Sequence, residues 1–376
     1  MAKIVHLTSV HQALDIRIYH KECKTLARAG HEVVLIAPHD RPLTADGVRL
    51  RPVPKPQGRR ERMTRTVWQV YRAALQETAD VYHFHDPELI PIGWLLKLQR
   101  GQVVYDVHED RPRQMMSKHW IPPRMRRPIS WLVHLTEAAS GRVWDGIVVA
   151  TPAIGRLFPG DKTVVVQNFP ILDELDATAA IPYAERRAVI AYAGNLTAIR
   201  GAREMVQSVG LLPERLSPRL ELAGTFDPPE LEDELRSLPG WERVRCFGWL
   251  SRPEIAELLG RARVGLALLH PTGNYLEAQP NKLFEYMATG VPFVASDFPH
   301  WRKLVNTNRS GLLVDPMDST AISDAILWLL EHPNEAEAMG RHGQEAVRTR
   351  FNWQPEGQQL VDFYRIGLGQ PTYSAI

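Results

Sequence analysis

A lysine and two glutamates around a predicted helix start form the most informative chemical pattern of the sequence. Pro280 is well placed to open this helix, because its missing N–H would have no partner inside the helix. The helix then begins near Asn281 or Lys282, so its free N–H groups and positive dipole end predict an anion site. Lys282 supplies a mobile positive charge for a diphosphate. Glu277 can reach sugar hydroxyls from the preceding loop, and Glu285, one turn along, can accept bidentate hydrogen bonds from a ribose diol. Spaced glutamates on an exposed helix are also common as purely solvated side chains.

A second segment, from Gly194 and Asn195 to Arg200 and Gly201, follows a predicted strand and precedes a predicted helix. A strand, a tight turn with a basic residue at its end and then a helix are typical of a phosphate cradle. We therefore expect Arg200 to face the same anion as Lys282.

Titratable residues also follow strands in the N-terminal half. His108 and Glu109 come directly after a predicted strand, and a histidine at such a strand end beside acids favours a place in a ligand site over a structural role. His83 and His85 alternate along the end of another predicted strand. No third ligand with suitable spacing accompanies them, so we predict no metal site.

Parallel strands are needed to hold these residues, because open α/β sheets bind ligands beyond the carboxyl ends of their strands. Short β-branched runs alternate with amphipathic stretches, as in βαβ units. Strands are predicted at Lys3–Leu7, Glu32–Ile36, Val81–His85, Val103–Val107, Gly146–Ala150, Thr163–Gln167, Val189–Ala193, Arg219–Ala223, Val244–Phe247, Val264–Leu268 and Pro292–Ala295. Helices are predicted at Ile18–Ala29 with Gly30 as C-cap, Ala202–Leu211, Pro229–Leu238, Arg252–Leu259, Lys282–Thr289, Thr320–Glu331 and Trp353–Leu368.

This pattern predicts two doubly wound α/β domains that face each other across a cleft. A chain of 376 residues exceeds the usual size of one hydrophobic core. Residues 1–170 form the predicted N-terminal domain, 171–187 a linker rich in Asp, Ala and Pro, and 188–352 the C-terminal domain. Residues 353–376 form a C-terminal helix that we expect to cross back to the first domain.

Composition excludes several protein classes. The chain is 44% apolar and 23% charged, close to an average globular protein. Its two cysteines, Cys23 and Cys246, lack disulfide-framework or metal-ligand spacing, which favours a reducing compartment. No signal-peptide pattern and no run of 18 apolar residues occurs, so we expect a cytoplasmic protein.

Positive charge is concentrated in the first half. Residues 1–170 hold 25 Lys and Arg against 16 Asp and Glu, whereas residues 171–376 hold 20 against 27. Much of the excess lies in two runs, residues 59–65 and residues 124–127. These runs are either a solvated surface or a contact with phospholipid head groups or a lipid-phosphate acceptor, possibilities that the sequence leaves open. We expect no nucleic-acid partner, since no recognition helix, RNP strand or zinc finger is present.

The pattern Glu-x7-Glu followed by a helix, a glycine and a Pro-Val-like strand resembles the signature of retaining glycosyltransferases of family 4, which have the two-Rossmann-domain GT-B architecture. The resemblance implies that Glu277 contacts the donor hexose, Glu285 the nucleotide ribose, and Arg200 with Lys282 the diphosphate. It implies a donor-facing place for His108. Asn195 stands where the family has a first basic residue. The remaining donor-contact positions that it implies are Gly194, Asn195, Gly224, Phe247, Gly248, Trp249, Asn281 and Leu283.

The first loop departs from the family, in which many members carry a Gly-Gly pair. Asp15 and Arg17 instead resemble an Asp-x-Arg variant found in some polysaccharide-biosynthesis branches. We expect Asp15 and Arg17 to orient the acceptor or to gate the cleft, and we expect His85 and Glu109 to contact the acceptor as well. No Asp-x-Asp occurs, which removes the usual metal carrier of the other large glycosyltransferase architecture.

The sequence thus predicts a metal-independent retaining glycosyltransferase. It needs no cofactor, and its co-substrate is a nucleotide-diphosphate sugar, with UDP favoured over GDP. Its acceptor is a saccharide or a lipid-linked molecule, and a peripheral contact with the inner face of the membrane stays open. Two alternatives stay open: another GT-B sugar enzyme such as a phosphorylase or epimerase, and a non-catalytic subunit of a polysaccharide assembly complex.

Overall fold

The computed structural model describes residues 1–99, 101–117, 121–175, 181–273, 275–276, 278–279 and 281–367. The chain divides into two compact units. The first contains Met1–Asn168 together with the segment that begins at Trp353, and the second contains Phe169–Asn352. The segment that begins at Trp353 thus follows the second unit in sequence but belongs to the first unit.

An eight-stranded sheet forms the centre of the first unit. Its strands are β1 Lys3–Leu7, β2 Glu32–Pro38, β3 Leu43–Ala45, β4 Val48–Val53, β5 Val81–Phe84, β6 Gln102–Val107, β7 Gly146–Val149 and β8 Thr163–Val165. The spatial order is β3-β4-β2-β1-β5-β6-β7-β8, and every neighbouring pair is parallel except β3 with β4. The central strands are buried almost throughout, as expected for a parallel sheet covered by helices on both faces.

Helices and helical turns cover this sheet. They are Ile16–Cys23, Lys24–Arg28, Arg59–Glu61, Arg62–Thr66, Val67–Leu75, Pro87–Leu89, Ile90–Leu98, Arg111–Ser117, Pro123–Val143, Pro152–Gly155, Gly160–Lys162, Trp353–Asp362 and Phe363–Gly367. The predicted helix Ile18–Ala29 is confirmed, but its first part, Ile16–Cys23, has π-helical hydrogen bonding. Asp15 starts it as N-cap, since its carboxylate accepts from the N–H groups of Arg17 and Ile18.

The second unit contains a six-stranded parallel sheet. Its strands are β9 Val189–Ala193, β10 Arg219–Ala223, β11 Val244–Gly248, β12 Val264–Ala267, β13 Phe293–Ser296 and β14 Gly311–Val314. The order β11-β10-β9-β12-β13-β14 is that of a Rossmann sheet, 3-2-1-4-5-6. The chain order reverses between β9 and β12 here, and between β1 and β5 in the first unit, so ligand sites are expected at those carboxyl ends.

Helices of the second unit confirm the predicted ones, with small shifts at their ends. The longer helices are Ala202–Gly210, Leu231–Arg236, Arg252–Arg261, Asn281–Ala288, Pro299–Asn308, Ser319–Glu331 and Pro333–Thr349, and single helical turns lie at Leu172–Glu174, Tyr183–Glu185, Ala198–Arg200, Glu214–Leu216 and Trp241–Arg243. Within the described residues, no helix of the chain is long and apolar enough to cross a membrane.

Three strands were missed from the sequence. No strand is predicted at residues 311–314, but Gly311–Val314 is the edge strand β14. Four residues are too few to show a period, so the sequence pattern gives no sign of this strand. The hairpin β3–β4 could have been predicted from the dipeptide Asp46-Gly47, because Asp-Gly is typical of two-residue hairpin turns. Both residues have the positive φ that such a turn requires.

The segment predicted as a linker packs against the second unit where the structure describes it. Leu172 contacts the hydrophobic core of that unit, and the Tyr183 hydroxyl donates to the Arg263 carbonyl at 3.0 Å. In the first unit, the helix Trp353–Asp362 is held by the Trp353 indole, which donates to Thr25 Oγ1 at 2.9 Å. Glu356 accepts from the Gln167 N–H at 2.6 Å.

Candidate active site

A half-buried lysine lies at the reversal point of the second sheet. Lys282 occupies the first turn of the helix Asn281–Ala288, which follows β12, and its side chain reaches towards the end of β9. Its ammonium group is enclosed by protein and lies 4.9 Å from the centre of the Tyr192 ring. Burial, followed by the charge of Arg200, lowers the pKa of Lys282 to about 8. The helix start and the lysine together form a positively charged pocket.

Arg200 belongs to the same pocket, as the sequence predicts. It ends the helical turn Ala198–Arg200 after β9, and its charge acts on Lys282. The side chains of Tyr275 and Tyr192 hydrogen-bond with it and, against the effect of burial, raise the pKa of Arg200. The Tyr192 hydroxyl also donates to the Asn195 carbonyl at 2.8 Å, which fixes the turn between Gly194 and Arg200. Asn195 itself is exposed at the pocket rim.

Gly194 makes room for the lysine. Its φ of +137° is one that residues with a side chain rarely adopt, and a Cβ there would lie 2.6 Å from Lys282 Nζ. Gly224, at the end of β10, lies directly beside it, because a Cβ on Gly224 would meet the Gly194 carbonyl. The two predicted glycines thus pack backbone against backbone at the carboxyl edge.

Glu285 is held by an arginine that the sequence did not identify as functional. Arg252 Nη1 donates to Glu285 Oε1 at 2.7 Å, and Arg252 Nε lies 3.3 Å from Glu174 Oε2. Despite burial, these two carboxylates raise the pKa of Arg252. Arg252 thus orients the Glu285 carboxylate, one turn away from Lys282.

The segment Phe247-Gly248-Trp249 lies at the end of β11. The Phe247 ring lies between the guanidinium groups of Arg245 and Arg261, at 4.6 and 5.6 Å, and lines a cavity of about 720 Å³. Trp249 is 71% exposed. The Trp249 ring is therefore open to solvent directly after the carboxyl end of β11.

Three predicted donor positions stand apart. Glu277 lies outside the described residues, so its assignment stays a prediction. Asn281 is exposed at the helix start, whereas the Leu283 side chain is fully buried in the hydrophobic core. A side-chain contact of Leu283 with a ligand is excluded, and only its backbone N–H is available.

In the first unit, Asp86 organises the loop after β1. Its Oδ2 accepts from the Thr8 hydroxyl at 2.7 Å, the Ser9 N–H at 2.7 Å and the Val10 N–H at 3.2 Å. These N–H groups belong to the first loop, in which many family members carry a Gly-Gly pair. Because they donate to Asp86, they are not directed at a ligand.

Asp106 is the centre of a buried network that holds His108. Arg17 donates to both of its oxygens, at 2.9 and 2.8 Å, His108 Nε2 lies 2.7 Å away, and His85 Nδ1 lies 3.0 Å away. Arg17, though buried, balances the burial of Asp106, so the pKa of Asp106 stays well below its usual range. Since a carboxylate only accepts, His108 donates from Nε2 and presents the lone pair of Nδ1.

Two predicted acceptor contacts are corrected by this network. Arg17 is buried and its guanidinium is committed to Asp106 and to the Val166 carbonyl, while both nitrogens of the buried His85 have protein partners. Both residues position His108 and cannot touch an acceptor. Glu109 remains exposed beside Gln114 and Arg111.

His11 was missed although it lies beside His108, with ring centroids 5.1 Å apart. It lies 3.6 Å from the Asp15 carboxylate and 3.4 Å from that of Asp86. Burial alone would lower the pKa of His11, but the hydrogen bond to Asp15 and the charge of Asp86 raise it overall. His11 is the first histidine after β1, which is the signal that could have identified it.

Comparison with known proteins agrees with this geometry. Residues 187–332 match the model for glycosyl transferases group 1, and residues 18–168 match the glycosyl transferase 4-like domain. The chain is 29% identical to a D-inositol 3-phosphate glycosyltransferase of Corynebacterium urealyticum over 47% of this chain and 42% of that protein, so it spans less than half of that relative. It is 26% identical to a phosphatidyl-myo-inositol mannosyltransferase of Mycobacterium leprae over 76% of this chain and 73% of that protein.

A solved structure extends the likeness to the whole fold. Sucrose-phosphate synthase from Thermosynechococcus elongatus superposes with a TM-score of 0.77 at 20% identity, over 97% of this chain and 98% of that one. Such identity establishes the fold alone. With the two domain matches, it shows that the chain has the GT-B fold and belongs to the group 1 glycosyltransferases of family 4.

Proposed function

We propose that this protein transfers a hexosyl unit, with retention of configuration, from a nucleotide-diphosphate sugar to an acceptor hydroxyl. UDP is the proposed nucleotide, ahead of GDP. The observation that carries the proposal is the pocket of Lys282 and Arg200, where two cations converge on a helix start at the reversal point of a Rossmann sheet. The product belongs to a surface polysaccharide, a glycolipid or a natural-product glycan.

Electrostatics favours a diphosphate in this pocket. Bringing two cations together in an enclosed site is unfavourable, and the lowered pKa of Lys282 expresses this, burial being the larger cause and Arg200 the second. An anion of charge −2 or more relieves both effects. As the glycosidic bond breaks, negative charge accumulates on the leaving diphosphate, and prearranged cations and N–H groups stabilise it most at that moment.

The carboxylates around the pocket supply orientation. Arg252 holds Glu285 one turn from Lys282, where an oxygen of Glu285 can accept from a ribose hydroxyl. Glu277 is proposed to bind hydroxyls of the hexose. Retention requires no protein nucleophile if the leaving phosphate itself takes the acceptor proton on the same face of the sugar. A separate role is proposed for His108, which would contact the donor sugar through its free Nδ1.

The acceptor is proposed to be saccharide, free or lipid-linked, at the inner face of the membrane. The helix Pro123–Val143 supports this, since it exposes Trp131 at 63% and Leu132 at 60% beside the basic run that includes Arg124 and Arg127. Exposed apolar side chains flanked by arginines are suited to binding an anionic lipid surface.

A flotation assay with vesicles tests the membrane contact. Binding to vesicles with anionic lipid should fall in a Trp131→Ser/Leu132→Ser variant and persist in Leu98→Ser, whose side chain is 80% exposed elsewhere. Equal binding of all three proteins would refute the contact.

Donor recognition is tested first by thermal shift with UDP-, GDP- and other nucleotide sugars, because ligands stabilise the fold that binds them. The donor found is then used for turnover, and the anomeric configuration of the product is read by NMR. An inverted product would refute retention. Release of a sugar 1-phosphate from a glycan plus phosphate would indicate a phosphorylase, and the absence of any nucleotide binding would indicate a non-catalytic subunit.

A further inference from the structure

The interior of the first unit contains buried side-chain atoms that could bind a ligand and that make no hydrogen bond. His6, Glu22 and His83 are all 0% exposed, and His6 Nε2, His83 Nε2 and both carboxylate oxygens of Glu22 make no hydrogen bond among the described residues. One ligand atom from each of these residues and from His85 lies within 4.8 Å of the others. Buried polar atoms are almost always satisfied, so atoms left without a hydrogen bond on three neighbouring residues call for an occupant.

The protonation pattern around His6 follows from Asp106. His85 Nδ1 lies 3.0 Å from Asp106 Oδ2, and a carboxylate only accepts, so His85 carries its proton on Nδ1. His85 Nε2 is therefore an acceptor, and His6 Nδ1, 2.9 Å away, donates to it. The lone pair of His6 is left on Nε2, the ring nitrogen that makes no hydrogen bond.

His83 shows the same arrangement from the other side. Its Nδ1 lies 2.8 Å from the Tyr364 hydroxyl oxygen, which accepts a hydrogen bond when Nδ1 carries the ring proton. The lone pair of His83 is then on Nε2 as well. A histidine that binds a metal through one ring nitrogen typically donates a hydrogen bond from the other. That hydrogen bond fixes the tautomer.

Glu22 supplies a carboxylate to the same point. Arg17 Nε lies 3.0 Å from Glu22 Oε1, but its N–H is directed at Asp106 Oδ2, at 2.9 Å. Oε2 is thus the freer oxygen. Glu22 comes from the helix Ile16–Cys23, whereas the histidines come from β1 and β5. Sequence spacing therefore could not reveal the third ligand.

We propose that His6 Nε2, His83 Nε2 and Glu22 Oε2 bind one divalent transition-metal ion of the Zn²⁺ type. Two imidazoles and one carboxylate suit such an ion better than Mg²⁺ or Ca²⁺, which prefer oxygen. Bonds of about 2 Å put tetrahedral ligand atoms roughly 3.3 Å apart, so the side chains close inward by about an ångström on binding. The ion joins β1, β5 and the helix Ile16–Cys23. It is structural, and the donor pocket does not involve it.

The test uses the full chain without an affinity tag, expressed in medium supplemented with Zn²⁺ or Co²⁺. We expect one ion per chain by elemental analysis, and Co²⁺ d–d bands of a low-coordinate N/O site. Glu22→Gln and His83→Gln should lose the ion, whereas the matched control His134→Gln, on the exposed side of Pro123–Val143, should keep it.

Anomalous diffraction at the metal edge gives a readout that does not depend on any variant folding. A peak between His6 Nε2 and His83 Nε2 supports the site. Wild-type protein without stoichiometric metal, a peak elsewhere, or ordinary water density at the centre overturns it. Since UDP binding is measured on the same preparations, failure of the metal site and failure of the donor site are separately visible.

Discussion

The ammonium nitrogen of Lys282 lies 2.6 Å from the position that a Cβ on Gly194 would occupy. The two residues are far apart in sequence: Gly194 directly follows β9, whereas Lys282 lies in the helix Asn281–Ala288, which comes after β12. The strands β9 and β12 are neighbours in the sheet. The glycine thus leaves the space in which the cation is held. This relationship links the loop after β9 to the helix Asn281–Ala288.

Replacing Gly194 by alanine should displace the lysine. The new Cβ collides with the flexible end of Lys282, and a residue with a side chain is strained at φ +137°. We expect a loss of about 1–3 kcal/mol in the free energy of unfolding and roughly tenfold weaker nucleotide binding. Denaturant melts and calorimetry with UDP measure the two effects. Gly160→Ala, at a site with nothing within 4 Å, is the control, and equal behaviour of both variants would contradict the role of the gap.

Lys282→Met should separate binding from stability. Methionine keeps the volume of the side chain but removes a charge whose burial is unfavourable, so the melting temperature should stay the same or rise. Affinity for UDP should fall by about tenfold or more, since charge-assisted contacts to phosphate are lost. The exposed Lys303→Met serves as control. Unchanged affinity in Lys282→Met would remove Lys282 from the donor site.

Nucleotide affinity should depend on pH through Lys282. Its pKa, lowered to about 8 by burial and Arg200, means that the free protein loses this cation as pH rises through that value. UDP affinity should therefore decline by up to about tenfold per pH unit between roughly pH 8 and pH 9.5. Calorimetry across this range checks the slope, which should be flat in Lys282→Met.

The same pKa has the opposite effect on the stability of the protein without nucleotide. The unfolded lysine keeps its proton to about pH 10.5, but the folded one releases it near 8, so unfolding takes up protons in this window. The contribution to the free energy of unfolding therefore rises with pH, by about 3 kcal/mol at most.

Glu285→Gln should weaken the binding of nucleotides that carry an intact ribose. An amide loses the anionic acceptor for the diol and leaves Arg252 with Glu174 as its carboxylate partner. Affinity for UDP should fall by about tenfold, with little change for 2′,3′-dideoxy-UDP. Isothermal titration of the wild-type protein and of Glu285→Gln with both nucleotides gives the four affinities of a double-mutant cycle. Equal losses for the two nucleotides would show that Glu285 does not read the ribose.

Glu137 should set a pH dependence of stability in the first unit. Burial raises the pKa of this carboxyl to about 7, and its partner is the Tyr105 hydroxyl at 3.3 Å. The folded state then holds a proton that the unfolded state releases near 4.5, so stability falls as pH rises from about 4.5 to about 7, by about 3 kcal/mol at most. Melts of Glu137→Gln should lack this decline, whereas the exposed Glu257→Gln should retain it.

The sequence predicts the fold well where periodicity and strand-end chemistry agree. Every strand predicted around Gly194, Gly224 and His108 is present, since parallel strands buried on both faces appear as continuous apolar runs. Arg200 and Lys282 were predictable because each sits next to a turn or a helix start. Those signals are local in the chain.

The parts that sequence could not predict depend on distant contacts. Arg17 looked like an acceptor contact because it follows Asp15 in the first loop, but its partner Asp106 is 89 residues away on β6. Arg252 looked like an ordinary first-turn residue, and only the fold brings it to Glu285. Burial and pairing of charges are properties of the assembled sheet, so neither could be seen in spacing.

The return of the chain to the first unit has a consequence for synthesis. The first unit is completed by residues from the C-terminal end of the chain: Trp353, Glu356 and Tyr364 contact residues of the segment Met1–Asn168. Tyr364 packs on His83. During synthesis, the segment Met1–Asn168 therefore lacks the residues that cover its buried histidines until the 184 intervening residues have been made. That interval is when an ion could still enter a chamber that is later sealed.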